Sequence, residues 1–291
     1  GKLLYTREGA HSRPRILFHE DITGKEITSK LLAQIKTRKN IQIMEYTTMT
    51  DILISQGACA GIEAETSDHK KIYIHADQTI FASGGIGGRY QHSTNFPHLT
   101  GDALDISKKH GIRLEHLDYV QIHPTTLYSK KPGRRFLISE SVRGEGALLY
   151  DKNGNRFVDE LLPRDVVTKA IQEQMKKDGT DHVWLSLEKI PKEIILSHFP
   201  NIYQHCLEEG YDATKEWIPV VPAQHYFMGG IWVDSDSHTS MPNLYAVGET
   251  SCNGVHGKNR LASNSLLESL VFAKRAARKI MSEKQMNKAT A

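Results

Sequence analysis

The sequence predicts an α/β fold in which a parallel-stranded domain is interrupted by an inserted α+β segment. Residues 244–247 (LYAV) form a short apolar run of the kind that lies buried on both faces of a sheet, and a glycine-rich loop and a capped helix follow it. Residues 79–83 (TIFAS) form a second such run, which also ends in glycines. Between about 118 and 226, a helical pattern lies among looser stretches rich in Pro, Lys and Glu.

These observations divide the chain into three segments. Residues 1–117 form the first part of the α/β domain, 118–226 form the inserted domain, and 227–291 form the return segment, which begins near GGIWVD (229–234). The helical pattern of the inserted domain spans 165–177, and its apolar face comprises Val166, Val167, Ala170, Ile171 and Met175.

The first segment alternates between extended runs and turn residues. Runs at 41–44, 51–55, 60–64 and 71–76 are separated by Gly, Asp and Ser, which predicts a small antiparallel layer ahead of the buried strand at 79–83. A helix is predicted from about Asp102 to about His110.

Composition excludes several classes of protein. Of the 291 residues, 39% are hydrophobic and 24% charged, and the net charge of +3 is not concentrated in a basic tail, so nucleic-acid binding is not expected. Three widely spaced cysteines fit neither a disulfide framework nor a zinc site, and they indicate a reducing, cytoplasmic location. No apolar run approaches the length of a membrane span, and no signal peptide is apparent at residue 1.

Residues 243–268 (NLYAVGETSCNGVHGKNRLASNSLLE) have the order of a ligand site. After the strand, the loop carries Gly254, Gly257 and Arg260, and residues 263–265 supply N-cap chemistry for a helix. The apolar face predicted for that helix comprises Leu266, Leu267, Leu270, Val271, Ala277 and Ile280. Because helix N-termini favour negative charge, we expect an anionic ligand or the electron-rich end of a cofactor at Ser265 and Leu266.

This segment resembles the C-terminal flavin-binding signature of the family that includes L-aspartate oxidase and the flavoprotein subunits of succinate dehydrogenase and fumarate reductase. The resemblance implies FAD as cofactor, a Rossmann-like FAD-binding domain and an inserted capping domain. It also implies a set of cofactor-binding residues, namely Ser83, Gly84, Gly85, Asp102, Glu249, Asn264, Ser265 and Leu266.

Two of these assignments have structural alternatives. Ser83 stands where the ATGG motif of the family has threonine, and Gly84 and Gly85 would also suit a plain strand-to-loop turn. Asp102 resembles a flavin-contacting aspartate, but it could equally be an ordinary N-cap. Glu249, in VGET, resembles the residue that binds the ribityl chain, where a polyol would partner an otherwise costly carboxylate.

The family also opens with a strand and a G-x-G-x-x-G turn, and no such turn follows a strand here. The GGIGG run at 84–88 occupies the position of a later motif. The sequence therefore resembles an internal fragment that lacks the N-terminal strand and the C-terminal helical domain of L-aspartate oxidases. One hypothesis is that this fragment is not catalytic and does not retain FAD.

Four short motifs carry basic side chains that match active-site positions of the family, and these side chains are His123 (IHPTTL), Arg164 (LPRDVV), His225 (PAQHYFMGG) and Arg260 (HGKNRLASNSLLE). A dicarboxylate needs such groups because each desolvated carboxylate must recover charge compensation and hydrogen bonds. Arg260 is the expected carboxylate clamp. His123, with the Thr125 hydroxyl, and His225 would hold the other carboxylate or polarise the carbon framework.

Arg164 resembles the proton-donating arginine of the family. A guanidinium has a pKa above roughly 12, so an ion pair with Asp165 or with the substrate is the alternative role. The SESVRGEGALLY segment (139–150), with Arg143 and Glu145, is expected to shape a loop over the substrate or to form a purely structural turn.

The resemblance implies oxidation of L-aspartate to iminoaspartate, the first step of quinolinate and NAD synthesis, with oxygen or fumarate as electron acceptor and a functional link to quinolinate synthase. Glu8 resembles the acid that aspartate oxidases place near the substrate amino group, and Ala262 also resembles the oxidases. Ala10 and Lys258 depart from the family pattern. A succinate dehydrogenase or fumarate reductase flavoprotein subunit is the alternative function.

Overall fold

The computed structural model describes residues 3–6 and 11–289. In chain order the strands and helices are β1 (Tyr5–Thr6), β2 (Ile16–Leu17), α1 (Thr23–Lys36), β3 (Thr47–Ser55), β4 (Ala58–Thr66), β5 (Lys71–His75), β6 (Thr79–Phe81), α2 (Asp102–Lys109), β7 (Leu114–Glu115), β8 (Val120–Leu127), α3 (Glu140–Gly144), β9 (Leu148–Tyr150), α4 (Arg164–Asp178), β10 (Val183–Ser186), α5 (Lys192–His198), α6 (Pro200–Glu208), β11 (Ile218–Phe227), β12 (Gly230–Trp232), β13 (Leu244–Ala246), β14 (Ser251–Cys252) and α7 (Asn264–Ala289). The mixture of helix and sheet confirms the predicted fold class.

The chain forms two compact units. The first contains residues 1–39, 90–97 and 122–225, and the second contains 40–89, 98–121 and 226–291. The sequence predicts domain boundaries after residues 117 and 226. These boundaries remain a prediction, and the two units are described separately from them. Among the described residues, no helix is long and apolar enough to cross a membrane.

The first unit is organised around a four-stranded sheet with the order β8-β11-β10-β9. β10 pairs antiparallel with both neighbours, so Trp184 lies opposite Pro219 on one side and Tyr150 on the other. α4 packs Val167 and Ile171 into the core of this unit. Val166, on the predicted apolar face of α4, is 43% exposed, because Thr168 and Gln174 occupy the buried side instead.

The second unit contains the antiparallel layer predicted from the first segment, with the order β3-β4-β5. Residues 41–44 form no strand, so that part of the prediction is wrong. β6 and β13 pair in parallel, and β12 lies between β14 and β7 in a separate small sheet. Phe81, Leu104, Phe227 and Leu244 are among the residues that form the core of this unit.

α7 begins where the sequence predicts, but the face of the helix that is buried differs from the predicted apolar face. Ser263, which has a left-handed φ of 62°, precedes its first residue. On the predicted apolar face, Leu267 is 60% exposed and Leu270 is 46% exposed, whereas Glu268, Phe272 and Ala276 are buried. The four-residue repeat from 268 to 276 therefore faces the core, because Glu268 finds polar partners there and Ala276 is small enough to allow close packing.

Candidate functional site

The parallel pairing of β6 with β13 brings two glycine-containing loops of the second unit to one edge. Thr79 pairs with Leu244, and Phe81 pairs with Ala246, so both strands end at the same level. The chain then turns at 83–85 and at 248–250, and the Ser83 hydroxyl donates to the Thr250 hydroxyl at 3.2 Å. In open α/β sheets this carboxyl edge is where ligands bind.

Gly85 permits a close approach between these loops. A Cβ atom on this residue would lie 2.7 Å from the carboxyl carbon of Glu249, so any side chain would displace that carboxyl group. Gly84, with φ +76°, occupies a backbone region that other residues rarely adopt. The plain-turn alternative accounts for Gly84, but it does not account for the close packing of the Glu249 carboxyl group against Gly85.

Glu249 is the acid of this edge, and its carboxyl group is largely enclosed by protein. Burial raises its pKa to about 7, although the Phe227 backbone N–H and the charge of Arg260 act in the opposite direction. Phe227 donates to Glu249 Oε1 at 2.9 Å. A buried carboxylate is costly without several donors, and the hydroxyls of a polyol would provide more of them. An acid that needs further donors, set against a glycine at this edge, fits the hydroxyl groups of a flavin ribityl chain.

The remaining predicted cofactor residues begin two helices of the second unit. Asp102 is the first residue of α2 and follows the N-cap Gly101, so the alternative that Asp102 itself is the N-cap is wrong. Its carboxylate accepts a hydrogen bond from the Thr100 hydroxyl at 2.6 Å. Asn264, Ser265 and Leu266 form the first turn of α7.

Arg260 is buried in the second unit and is held on three sides. Its Nε donates to Gln121 Oε1 at 3.2 Å, and Nη1 donates to the Ser265 hydroxyl at 3.1 Å. The guanidinium carbon lies 4.7 Å from the centre of the Tyr226 ring, a cation–π geometry. Gln121 also donates to the Arg260 carbonyl at 2.8 Å. Sequence reasoning missed Gln121, whose signal was its place two residues before His123 in one motif.

His123 and His225 lie together in the first unit. Their ring centroids are 5.2 Å apart, with an interplanar angle of 64°. His123 is 1% exposed, and within the described part of the chain its Nε2 has no hydrogen-bond partner. Burial, reinforced by the charge of Arg164, lowers the pKa of His123 well below its usual value. His123 is therefore a neutral ring with one buried nitrogen left for a ligand.

Thr125 supports His123 through its backbone. Its N–H and carbonyl lie 3.2 Å and 3.1 Å from Nδ1 of His123. Its hydroxyl donates to the Ile138 carbonyl at 3.1 Å. The Thr125 proton is thus engaged in the core, so a ligand would meet the lone pairs of this oxygen.

Arg164 is the first residue of α4, and its Nε donates to Glu140 Oε2 at 2.6 Å. The sequence offered Asp165 as its alternative partner and missed Glu140, which lies in the SESVRGEGALLY segment. Arg143 of that segment is 2% exposed, lies 3.8 Å from Glu140 and donates to the Glu160 carbonyl. These contacts favour the structural role for Arg143.

The first unit thus contains His123, Thr125, Arg164 and His225, and the second contains Arg260 and the predicted cofactor residues. Glu8 and Ala10 lie outside the described residues. Lys258, which departs from the family pattern, has its Nζ 6.0 Å from the centre of the Tyr119 ring. Among residues 3–6 and 11–289, no group of three or more His, Cys, Asp or Glu could hold a metal ion.

The carboxyl edge, with its glycines and its acid, is a place where an α/β protein could bind an extended, hydroxyl-bearing cofactor. Comparison with known families agrees, since the FAD binding domain family matches residues 1–266. The chain belongs to this family, and its cofactor is FAD.

Known relatives narrow the resemblance. The chain is 54% identical to the L-aspartate oxidase of Clostridium perfringens over 281 residues, which cover 96% of this chain and 64% of that protein. It is 51% identical to the L-aspartate oxidase of Clostridium acetobutylicum over 282 residues, with the same coverage of 96% and 64%. The chain thus spans 64% of the length of these relatives.

Two solved structures share the fold. A structure of E. coli quinol fumarate reductase matches with a TM-score of 0.86 and 32% identity over 95% of this chain and 51% of that chain. Mycobacterium smegmatis Sdh1 matches with a TM-score of 0.76 and 33% identity, covering 94% and 50%. The resemblance inferred from the motifs is confirmed by these matches.

Proposed function

We propose that this protein carries out FAD-dependent oxidation of L-aspartate to iminoaspartate. The observation that carries the proposal is the buried His123 Nε2, which has no partner among the described residues and lies beside His225 in the unit that also holds Arg164. An unpaired buried nitrogen costs roughly 1–3 kcal/mol, which a ligand hydrogen bond offsets. The similarity to L-aspartate oxidases supports this choice of substrate.

The proposed residues divide the work of binding a dianion. His123 and His225 offer hydrogen bonds to one carboxylate, and His123 does so as a neutral ring because its pKa is low. Arg164 and Arg260 supply guanidinium groups, which bind carboxylates through charge-assisted hydrogen bonds. Arg260 is the proposed bidentate clamp. Bound FAD supplies the redox chemistry by accepting the hydride that leaves the substrate carbon.

Arg164 is proposed to handle a proton when the site works in the reductive direction. Reduction of fumarate to succinate adds a hydride to one alkene carbon and a proton to the other. Arg164 would give that proton, and Glu140, 2.6 Å from its Nε, would stabilise the cation when the proton returns. Direct proton transfer from a guanidinium is unfavourable in water, because this group holds its proton strongly.

The second candidate is a succinate dehydrogenase or fumarate reductase flavoprotein subunit. The TM-score of 0.86 with E. coli quinol fumarate reductase favours it as the runner-up. Glu8 distinguishes the two, because an acid beside the substrate would attract the ammonium group of aspartate and repel succinate. In the first case the product would pass to quinolinate synthase, and oxygen or fumarate would reoxidise the flavin.

An absorbance experiment tests this proposal. Purified protein is loaded with FAD and desalted, and L-aspartate and then succinate are added without oxygen while the oxidised flavin band is followed. Bleaching by aspartate alone supports the oxidase. Bleaching by succinate alone supports the second candidate, a succinate dehydrogenase or fumarate reductase flavoprotein subunit. A protein that stays colourless after FAD loading supports the hypothesis of a non-catalytic fragment.

A matched variant examines the role of Glu8. In Glu8→Gln the carboxylate is lost at nearly constant size, so the rate of bleaching by aspartate should fall about tenfold or more. Glu26→Gln changes an acid of α1 that pairs with Lys30; this variant is the control and should bleach like the wild type. Equal rates in all three proteins would remove Glu8 from the substrate site.

A further inference from the structure

Residues 93–95 form a strap that runs alongside the end of β11 in the first unit. The Thr94 N–H donates to the Gln224 carbonyl at 2.9 Å, and Ser93 forms a parallel bridge with Gln224. The Ser93 hydroxyl and the Asn95 side chain both donate to Gln224 Oε1, at 2.7 Å and 2.9 Å. The backbone of β11 next to His225 is therefore clamped by this strap.

The strap also reaches His225 directly. Asn95 Nδ2 donates to the His225 carbonyl at 3.1 Å, and the Thr94 Oγ1 lies 2.8 Å from Nδ1 of the His225 ring. Thr94 is 6% exposed. Arg134, whose Nε donates to the Thr94 carbonyl at 2.6 Å, restrains the strap from the other side. Both the backbone and the ring of His225 are thus restrained by this strap.

The hydroxyl of Thr94 has one proton and two acceptors within reach. The His225 Nδ1 is at 2.8 Å, whereas the Gln224 carbonyl is at 3.4 Å and already accepts the Thr94 N–H. If Nδ1 carried the proton, it would donate to Oγ1, and the hydroxyl proton would be left with the 3.4 Å contact to the Gln224 carbonyl. Donation from the hydroxyl to Nδ1 instead gives this buried proton a hydrogen bond of normal length, which favours that arrangement. A neutral imidazole that accepts at Nδ1 carries its own proton on Nε2.

We propose that Thr94 is a positioning residue that locks His225 in the Nε2–H tautomer and fixes the direction of that donor. This inference rests on the proposed function, in which His225 donates to a substrate carboxylate. The opposite tautomer would present the Nε2 lone pair, which repels a carboxylate oxygen. Thr94 acts through His225 and does not touch the substrate.

Nitrogen-15 NMR of the histidine rings tests the tautomer without any substrate. The FAD-loaded protein is labelled with nitrogen-15, studied at a pH where the rings are neutral, and assigned by comparison with His225→Asn. We expect a pyrrole-type Nε2 and a hydrogen-bonded, pyridine-type Nδ1 for His225. In Thr94→Val the Nδ1 resonance should move to the value of an unbonded or tautomer-averaged nitrogen, and Thr94→Ser should restore the wild-type value.

Thr126→Val is the matched control, because the Thr126 hydroxyl is equally buried and donates to the Val221 carbonyl at 2.7 Å. It should leave the His225 resonances unchanged. A pyrrole-type Nδ1 in the wild type overturns the inference, and so does a Thr94→Val spectrum that matches the wild type. If Thr94→Val does not fold, the wild-type tautomer and the Thr94→Ser spectrum still decide.

Binding of a non-reacting dicarboxylate such as malonate separates this inference from the proposed function. We expect its Kd to rise about tenfold in Thr94→Val, equivalent to about 1.4 kcal/mol, and to stay within about twofold in Thr94→Ser and Thr126→Val. The wild-type protein could show the Nε2–H tautomer of His225 and yet bind no malonate. That result would contradict the proposed function but would leave the tautomer assignment intact. Unchanged malonate binding in Thr94→Val would overturn the role of Thr94 in substrate binding.

Discussion

The two units prepare their basic side chains in different ways. In the second unit, Arg260 is held by Gln121, Ser265 and the Tyr226 ring before any ligand arrives. In the first unit, His123 is buried with Nε2 unpaired among the described residues. A preorganised cation loses little freedom on binding, whereas an unpaired buried nitrogen destabilises the free protein until a ligand satisfies it. Arg260 is therefore already ordered for ligand binding, whereas His123 carries an unsatisfied polar atom whose energetic cost a ligand would remove.

The largest expected effect comes from breaking the buried ion pair of the first unit. In Arg164→Met, Glu140 loses its partner, and a buried, uncompensated carboxylate costs roughly 3–5 kcal/mol of unfolding free energy. The loss should lie at the low end of this range, because Arg143, 3.8 Å from Glu140, still compensates part of the carboxylate charge. Urea unfolding measures it.

A control for this variant lies on the same helix. Lys169→Met breaks an exposed pair with Glu173 and should change the unfolding free energy by less than about 0.5 kcal/mol. The double variant Arg164→Met/Glu140→Leu should recover most of the lost stability. If Arg164→Met and Lys169→Met lowered the unfolding free energy by similar amounts, the buried pair of Arg164 and Glu140 would contribute no special stability to the first unit.

The second expected effect is a pH dependence that arises from Glu249. Burial raises its pKa from 4.5 to about 7, so the folded protein binds this proton more tightly than the unfolded chain does. The stability from this group is present below about pH 4.5 and is lost as pH rises to about 7, a change of roughly 3 kcal/mol. Glu249→Gln should lack this slope in urea unfolding of FAD-free protein.

Glu193→Gln, at an exposed position of α5, serves as the reference for that experiment and should keep the wild-type slope. If Glu249→Gln also kept it, Glu249 would be solvated in solution, and the buried-acid account of the cofactor edge would be wrong.

A smaller effect is expected at the glycine of the same edge. In Gly85→Ala the new Cβ would displace the Glu249 carboxyl. Because this carboxyl is the proposed partner of the ribityl chain, the Kd for FAD should rise about tenfold, equivalent to about 1.4 kcal/mol. Fluorescence titration with FAD measures it. Gly24→Ala in α1, where no atom lies within 4 Å of the added Cβ, should bind FAD normally. Unaltered affinity in Gly85→Ala would argue against a cofactor at this edge.

The smallest effect is expected at Asp51, whose ion pair has no proposed role in ligand binding. It serves as a reference for the other variants. Burial opposes the charge of Asp51, but hydrogen bonds from Lys109 and His110 lower its pKa to about 2. This stability is present above pH 3.8, the ordinary value, and is lost as pH falls towards 2. Asp51→Asn should cost about 1 kcal/mol at pH 7 and little near pH 2 by urea unfolding. A constant difference across that range would mean that the pairing is not electrostatic.

Local patterns predicted much of the fold and several placements. The three strands of the antiparallel layer and the starts of α2 and α7 follow from alternation, turn residues and caps, which act over a few neighbouring residues. The apolar face of α7 was wrong because Leu267 and Leu270 suggested burial by composition, while the buried polar partners of Glu268 set the orientation.

The polar partners of the site could not be read from any local pattern. Gln121 and Arg260 are 139 residues apart, and Thr94 and His225 are 131 apart. Glu140 and Arg164 are 24 apart and belong to different helices. A hydrogen bond depends on distance and angle in space, and sequence spacing specifies neither for residues on separate elements.

The sequence by itself determined the fold class, the family resemblance, the cofactor and the identity of the basic side chains, because motifs record which residue types stand at which strand and helix ends. Only the tertiary structure decided which of those side chains are satisfied. Packing buries His123 and Arg260 and partly buries Glu249. Away from water, the energy of each polar group depends on the partners within hydrogen-bond distance. Those partners come from distant parts of the chain and are brought into place only by folding.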